Sequence, residues 1–80
     1  MLTLTCHFQF SDGAVALATV TTPDPMDEAP VQYAGESDRL PHKFQRAEAS
    51  LLRVWAERVA KNLDILVLFT ESGEYDTWAE

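Results

Sequence analysis

The sequence predicts an α+β domain, an antiparallel sheet covered on one face by a single long helix in the order ββαββ. Three observations carry that expectation. Apolar residues alternate strictly with polar ones at the start of the chain, an Asp-Gly pair follows, and apolar residues recur at three- and four-residue spacing between 41 and 62.

Leu2, Leu4, Cys6, Phe8 and Phe10 alternate with Thr3, Thr5, His7 and Gln9, so residues 2–10 form a strand with one buried face. Asp12-Gly13 tolerates the positive φ of a type I′ hairpin loop, and residues 14–22 return antiparallel. With those two residues as the loop, Phe8 faces Leu17 and Cys6 faces Thr19 on the inner side, while Ala16, Ala18 and Val20 fall on the outer side. Residues 23–40 hold Pro23, Pro25, Pro30 and Gly35 and form a long acidic loop, within which Val31-Gln32-Tyr33 leaves room for a short strand.

Pro41 suits a first helical turn, and the helix runs over residues 41–62. Phe44, Ala47, Leu51, Leu52, Trp55 and Val59 make its core stripe, with Trp55 over Phe8, Phe10 and Leu17. Lys43, Arg46, Ser50, Arg53, Glu57 and Lys61 lie opposite, with ion pairs expected from Glu57 to Lys61 and from Arg53 to Glu57. Residues 64–70 form a strand apolar on both faces, Ser72-Gly73 turns the chain, and residues 75–79 add a last strand. One helix covers one sheet face only. Ala16, Ala18, Val20, Leu66 and Leu68 are therefore the expected interface of a homodimer.

Eighty residues make one domain. The single cysteine, Cys6, excludes an internal disulfide and fits a reducing cytoplasm; the apolar runs are far too short to span a bilayer, and the first residues lack a basic leader. The charge is segregated. All six basic residues fall between Arg39 and Lys61, a stretch that sums to +4 once Glu48 and Glu57 are counted. Residues 1–38 sum to −6 and residues 62–80 to −5, for a net charge of −7. Such segregation points to electrostatic recognition of a macromolecule.

Catalytic and metal motifs do not account for the chain. Cys6 and His7 are neighbours in a strand and point to opposite faces, and no second cysteine completes a zinc set with His42. Asp24, Asp27 and Glu28 lack the alternation and central glycine of a calcium loop. No nucleophile elbow or glycine-rich signature places a reactive serine, threonine or cysteine against a base. The reading is non-enzymatic, with no cofactor and no metal. The acidic balance argues against direct binding to nucleic acid, despite the basic segment. Spaced carboxylates do imitate phosphates. Asp24, Asp27, Glu28, Glu36, Asp38, Glu71, Glu74 and Asp76 are accordingly the candidate partner-binding residues, presented to a basic groove on a nucleic-acid-binding protein.

The acidic stretches PDPMDE and TESGEYDTWAE, the single small domain and the absence of catalytic motifs resemble the small acidic phage and mobile-element proteins that inhibit host defence, notably anti-CRISPR proteins of type I systems. The resemblance is one of kind, shares no motif and carries over no residue. It implies a cytoplasmic inhibitor that keeps a Cas complex or another host nucleic-acid-binding protein from its target DNA, by charge mimicry or by steric block. FQFSDGAVALATV also resembles the strand, Asp-Gly turn and strand that open HicB-like antitoxins, without their appended DNA-binding segment. A structural or assembly protein is the third class, marked by self-association without a host partner.

Overall fold

A computed structural model describes residues 1–73. Five antiparallel strands form one sheet with one helix packed against it, so the α+β class holds. The strands are β1 (Leu2–Gln9), β2 (Val15–Thr22), β3 (Ala29–Gly35), β4 (Arg46–Ala47) and β5 (Leu66–Gly73), and the helix α1 is Ala49–Leu63. Their order across the sheet is β4-β3-β2-β1-β5, so β5 returns from the helix to pair antiparallel with β1. The strand expected at residues 75–79 lies outside the described residues.

The first hairpin corrects the expected register by one residue. Phe10 N–H donates to the Ala14 carbonyl at 2.8 Å and Gly13 N–H to the Phe10 carbonyl at 3.0 Å, which closes a three-residue loop, Ser11-Asp12-Gly13. Only Gly13 takes a positive φ there, +93°, whereas a type I′ loop needs two such residues. The Asp12 carboxylate instead accepts the Ala14 N–H at 3.1 Å. Leu4 therefore pairs with Val20, Cys6 with Ala18 and Phe8 with Ala16. A slip of one residue turns a whole strand over. Ala16, Ala18 and Val20, expected on an outer interface, are 0%, 0% and 1% exposed in the core. Leu17 and Thr19, expected inside, face outward.

The expected acidic loop of residues 23–40 contains a full strand. Val31 and Tyr33 of β3 pair with Val20 and Ala18, and both lie on the core side. The strand ends at Gly35, whose φ of +69° and close approach to the Val15 carbonyl exclude a Cβ. A 3-10 turn follows at Ser37–Arg39.

The helix begins at Ala49, about two turns later than Pro41 suggests. His42 sits at φ +56°, Arg46 and Ala47 are drawn out to pair with Pro30 and Ala29, and Tyr33 holds the intervening segment. Its hydroxyl donates to the Phe44 carbonyl and accepts the Phe44 N–H, both at 2.8 Å. Phe44 and Ala47 thus reach the core from non-helical backbone. On the helix the buried stripe is Ala49, Leu52, Trp55, Ala56, Val59 and Ala60, while Leu51 is 44% exposed. Asp64 ends the helix in a left-handed conformation, its N–H returned to the Ala60 and Lys61 carbonyls.

Trp55 is the centre of the core. Its ring meets Phe8, Tyr33 and Phe44 edge-on at centroid distances of 5.7, 6.5 and 5.8 Å, and its indole N–H donates to the Pro41 carbonyl at 3.2 Å. Phe8 stands on β1 and Tyr33 on β3, so the indole bridges across β2 above Ala16 and Ala18. Small residues on the middle strand make room for it. The expected contact with Phe8 is present. Leu17 lies on the other face, and Phe10 is capped instead by Arg39, 4.1 Å above its ring.

Candidate partner-binding surfaces

The strand register decides which acidic residues share a surface. Leu2 pairs with both Thr22 and Gly73, so the β2–β3 turn and the far end of β5 lie at one end of the sheet, separated by the single strand β1. Asp24, Asp27 and Glu28 occupy that turn and Glu71 lies near the end of β5, all exposed. Neighbouring strands are about 4.8 Å apart, which sets the two segments about 10 Å from each other. Glu36 and Asp38 follow β3 at the opposite end, beside Asp12, and do not join the cluster. Glu74 and Asp76 lie outside the described residues.

The turn is built to hold its shape. Asp24-Pro25-Met26-Asp27 has Pro at the second position, where a fixed φ suits the turn, and Asp27 N–H donates to the Asp24 carbonyl at 3.0 Å. The Asp24 carboxylate accepts the Met26 N–H at 2.8 Å, and the buried Thr22 hydroxyl donates to the Asp24 carbonyl at 2.6 Å. Met26, 64% exposed, projects between the two aspartates, with the Ser50 hydroxyl 3.9 Å from its sulfur. The tip is an apolar side chain flanked by two carboxylates, of which that of Asp24 is held by the Met26 N–H.

The basic segment is stitched to acidic residues drawn from outside it. Arg39 pairs with Asp12 at 3.1 Å, Lys43 with Asp38 at 3.9 Å, Arg46 with Glu28 at 3.9 Å, and Arg53 with Glu71. Segregation along the chain thus becomes alternation in space. Arg53 also lies 4.5 Å above the Phe69 ring, so it turns toward β5 and away from Glu57; among the described residues neither expected helix ion pair forms. These partly exposed pairs are worth about 0–1 kcal/mol each. Glu28, Asp38 and Glu71 are therefore partly neutralised within the chain, which leaves Asp24 and Asp27 as the foremost carboxylates of the acidic end.

The open sheet face is a second surface. Thr3, Thr5, His7 and Gln9 of β1 line up there with Val15, Leu17, Thr19 and Thr21 of β2 and with Leu66 and Leu68 of β5. Thr3 hydrogen-bonds Thr21 at 3.0 Å, and the Thr19 hydroxyl donates to Thr5 at 3.3 Å. Among these residues of β1, β2 and β5 only His7 is ionisable, and Arg46 stands on the same face at the far edge, opposite Pro30. Leu66 and Leu68 are 67% and 63% exposed, so of the five expected interface residues these two are on the surface.

Cys6 lies wholly within the core and His7 on the opposite face, as neighbours in a strand must. Burial pushes the Cys6 thiol up to about 12. Among the described residues no three His, Cys, Asp or Glu side chains are placed to share a metal ion. An open cleft of about 400 Å³ beside the first hairpin is lined by Gln9, Phe10, Ser11, Asp64, Ile65 and Leu66, with Asp64 its one ionisable group. No helix among the described residues is long and apolar enough to cross a membrane. In comparisons with known proteins, no family model, curated protein or solved structure matches the chain.

Proposed function

We propose that the protein is a non-enzymatic inhibitor that occupies the basic, nucleic-acid-binding surface of another protein and keeps it from its DNA. The observation that carries this reading is the acidic end. The turn Asp24-Pro25-Met26-Asp27 is braced by its own hydrogen bonds, so its backbone and the Asp24 carboxylate need little further ordering on binding. Glu28 and Glu71 lie at the same end of the sheet, each partly neutralised by an arginine, so Asp24 and Asp27 carry most of its charge. Steering by this field favours a cationic groove and disfavours nucleic acid itself. Met26 supplies an apolar contact at the centre.

In kind, such a molecule resembles the anti-CRISPR proteins of type I systems, and a type I Cas complex is the partner to test. Purified complex is incubated with the protein before labelled target DNA is added, and binding is followed by mobility shift. Loss of the shifted band with rising protein, and no shift of DNA by the protein alone, supports the reading. An unchanged shift at saturating protein removes the Cas complex as partner; a shift of the DNA by the protein alone removes the mechanism.

A further inference from the structure

Among the described residues β5 is hydrogen-bonded on one side only, to β1, and forms an edge of the sheet. The two edges of this sheet are built differently. At the far edge β4 is two residues long, carries Arg46, and pairs with β3 at Pro30, which is how natural sheets blunt an edge against another chain. Over Leu66–Thr70 the β5 edge has none of these devices, and its one charge, Glu71, lies near the end of the strand. Leu66-Val67-Leu68-Phe69-Thr70 has no charge, no proline and no glycine, and its β-branched and aromatic residues favour extended pairing. It is also the least covered part of the fold. Leu66 and Leu68 are exposed on the open face, and Val67 and Phe69 are only half-buried on the helix side.

We propose that the occupant of this edge is a second copy of the chain, with β5 pairing antiparallel to β5 about a two-fold axis at Leu68. The exposed Leu66 and Leu68 select the partner, because a second copy covers them with its own leucines, and charge selects the register. Each copy carries −7, so two copies repel over most of their surface, and an uncharged strand is where they meet at least cost. Centred on Leu68, the pairing sets Leu66 opposite the partner's Thr70, Val67 opposite the partner's Phe69, and Glu71 opposite the partner's Ile65. A register centred on Glu71 would set like charges directly opposite, which is destabilising. The exposed leucines of both copies then form one apolar cluster on the open face of a continuous ten-stranded sheet. The two acidic ends point to opposite poles, so the assembly is bivalent for the partner proposed above without depending on that reading.

Sedimentation over a concentration series tests the assembly, and the expected species has twice the 9.0 kDa chain mass. Leu68→Lys, on a side chain already exposed, yields a monomer with an unchanged circular dichroism spectrum. Leu17→Lys, on the same open face but on β2, remains a dimer. Leu68→Cys forms a disulfide-linked dimer on oxidation, and Leu17→Cys does not. Several outcomes overturn the proposal: a wild-type monomer at every concentration, dimerisation only after deletion of residues 74–80, a dimer that survives Leu68→Lys, or equal sensitivity to Leu17→Lys, which would mean stacking face to face.

Discussion

Replacing Trp55 by alanine removes the group on which the helix, the sheet and the segment before the helix all converge. The side chain is 7% exposed, so nearly all of its surface returns to water or leaves a void. Truncation of a buried tryptophan costs about 3–5 kcal/mol in transfer and cavity terms. Three edge-on aromatic contacts are lost with it, each worth about 0.5–1.5 kcal/mol beyond area, and the Pro41 carbonyl loses its donor. Against this, about 0.05–0.15 kcal/mol per residue gives a chain of this length about 4–12 kcal/mol in total. Trp55→Ala is therefore expected to be largely unfolded at 25 °C. Trp55→Phe keeps the ring contacts and loses the N–H, so it should fold with a loss of about 1–3 kcal/mol. Urea titration followed by far-ultraviolet circular dichroism separates the two. A folded Trp55→Ala protein with a near-normal midpoint would refute the placement of this side chain between β1 and β3.

The register makes a second test, because Ala18 lies beneath the indole: Ala18→Leu should lose about 1–3 kcal/mol from overpacking, and Ala18→Glu should unfold the chain. Tolerance of Ala18→Glu would restore the discarded register. Cys6 should resist alkylation in the folded protein at pH 8 and react at once in denaturant. The folded thiol titrates near 12, above its unfolded value of about 8.5, so its contribution to stability is complete below pH 8.5 and is lost as the pH rises from there toward 12. Cys6→Ala should remove that part of the alkaline loss, and an unchanged alkaline profile would contradict the burial of the thiol.

The strand β1, the C-terminal part of the helix and the role of Trp55 were legible because alternation and helical spacing there involve large residues on one side and polar ones on the other, and β5 was legible as a short continuous apolar run with β-branched and aromatic residues. In β2 the two faces were Ala16, Ala18 and Val20 against Leu17, Thr19 and Thr21, and neither is charged. Hydrophobicity alone favoured Leu17 for the core. The deciding facts were a three-residue loop set by a single positive φ and a tryptophan that needs alanines beneath it, and neither is a local property of β2. The helix start was misplaced for a similar reason. Phe44 and Ala47 fall on the helical repeat by coincidence, because pairing of β4 to β3 and the clamp from Tyr33 hold them in non-helical backbone. The acidic site was half legible. Carboxylate positions are written in the sequence, but which of them share an end of the sheet depends on strand order, and which are paired with Arg39, Lys43, Arg46 and Arg53 depends on the fold.

The most direct test of the proposed function is the affinity for a purified type I Cas complex of the wild-type chain and of the variant Asp24→Lys, Asp27→Lys, Glu28→Lys, measured by calorimetry at low and at physiological salt. The turn residues are exposed, so the variant should fold, and lysine at these positions sets like charge against a cationic groove. The account predicts a loss of at least about 100-fold in affinity for the variant and a wild-type affinity that weakens as salt rises. Equal affinities for the two proteins, insensitive to salt, would contradict it and reduce the acidic end to a solubilising surface.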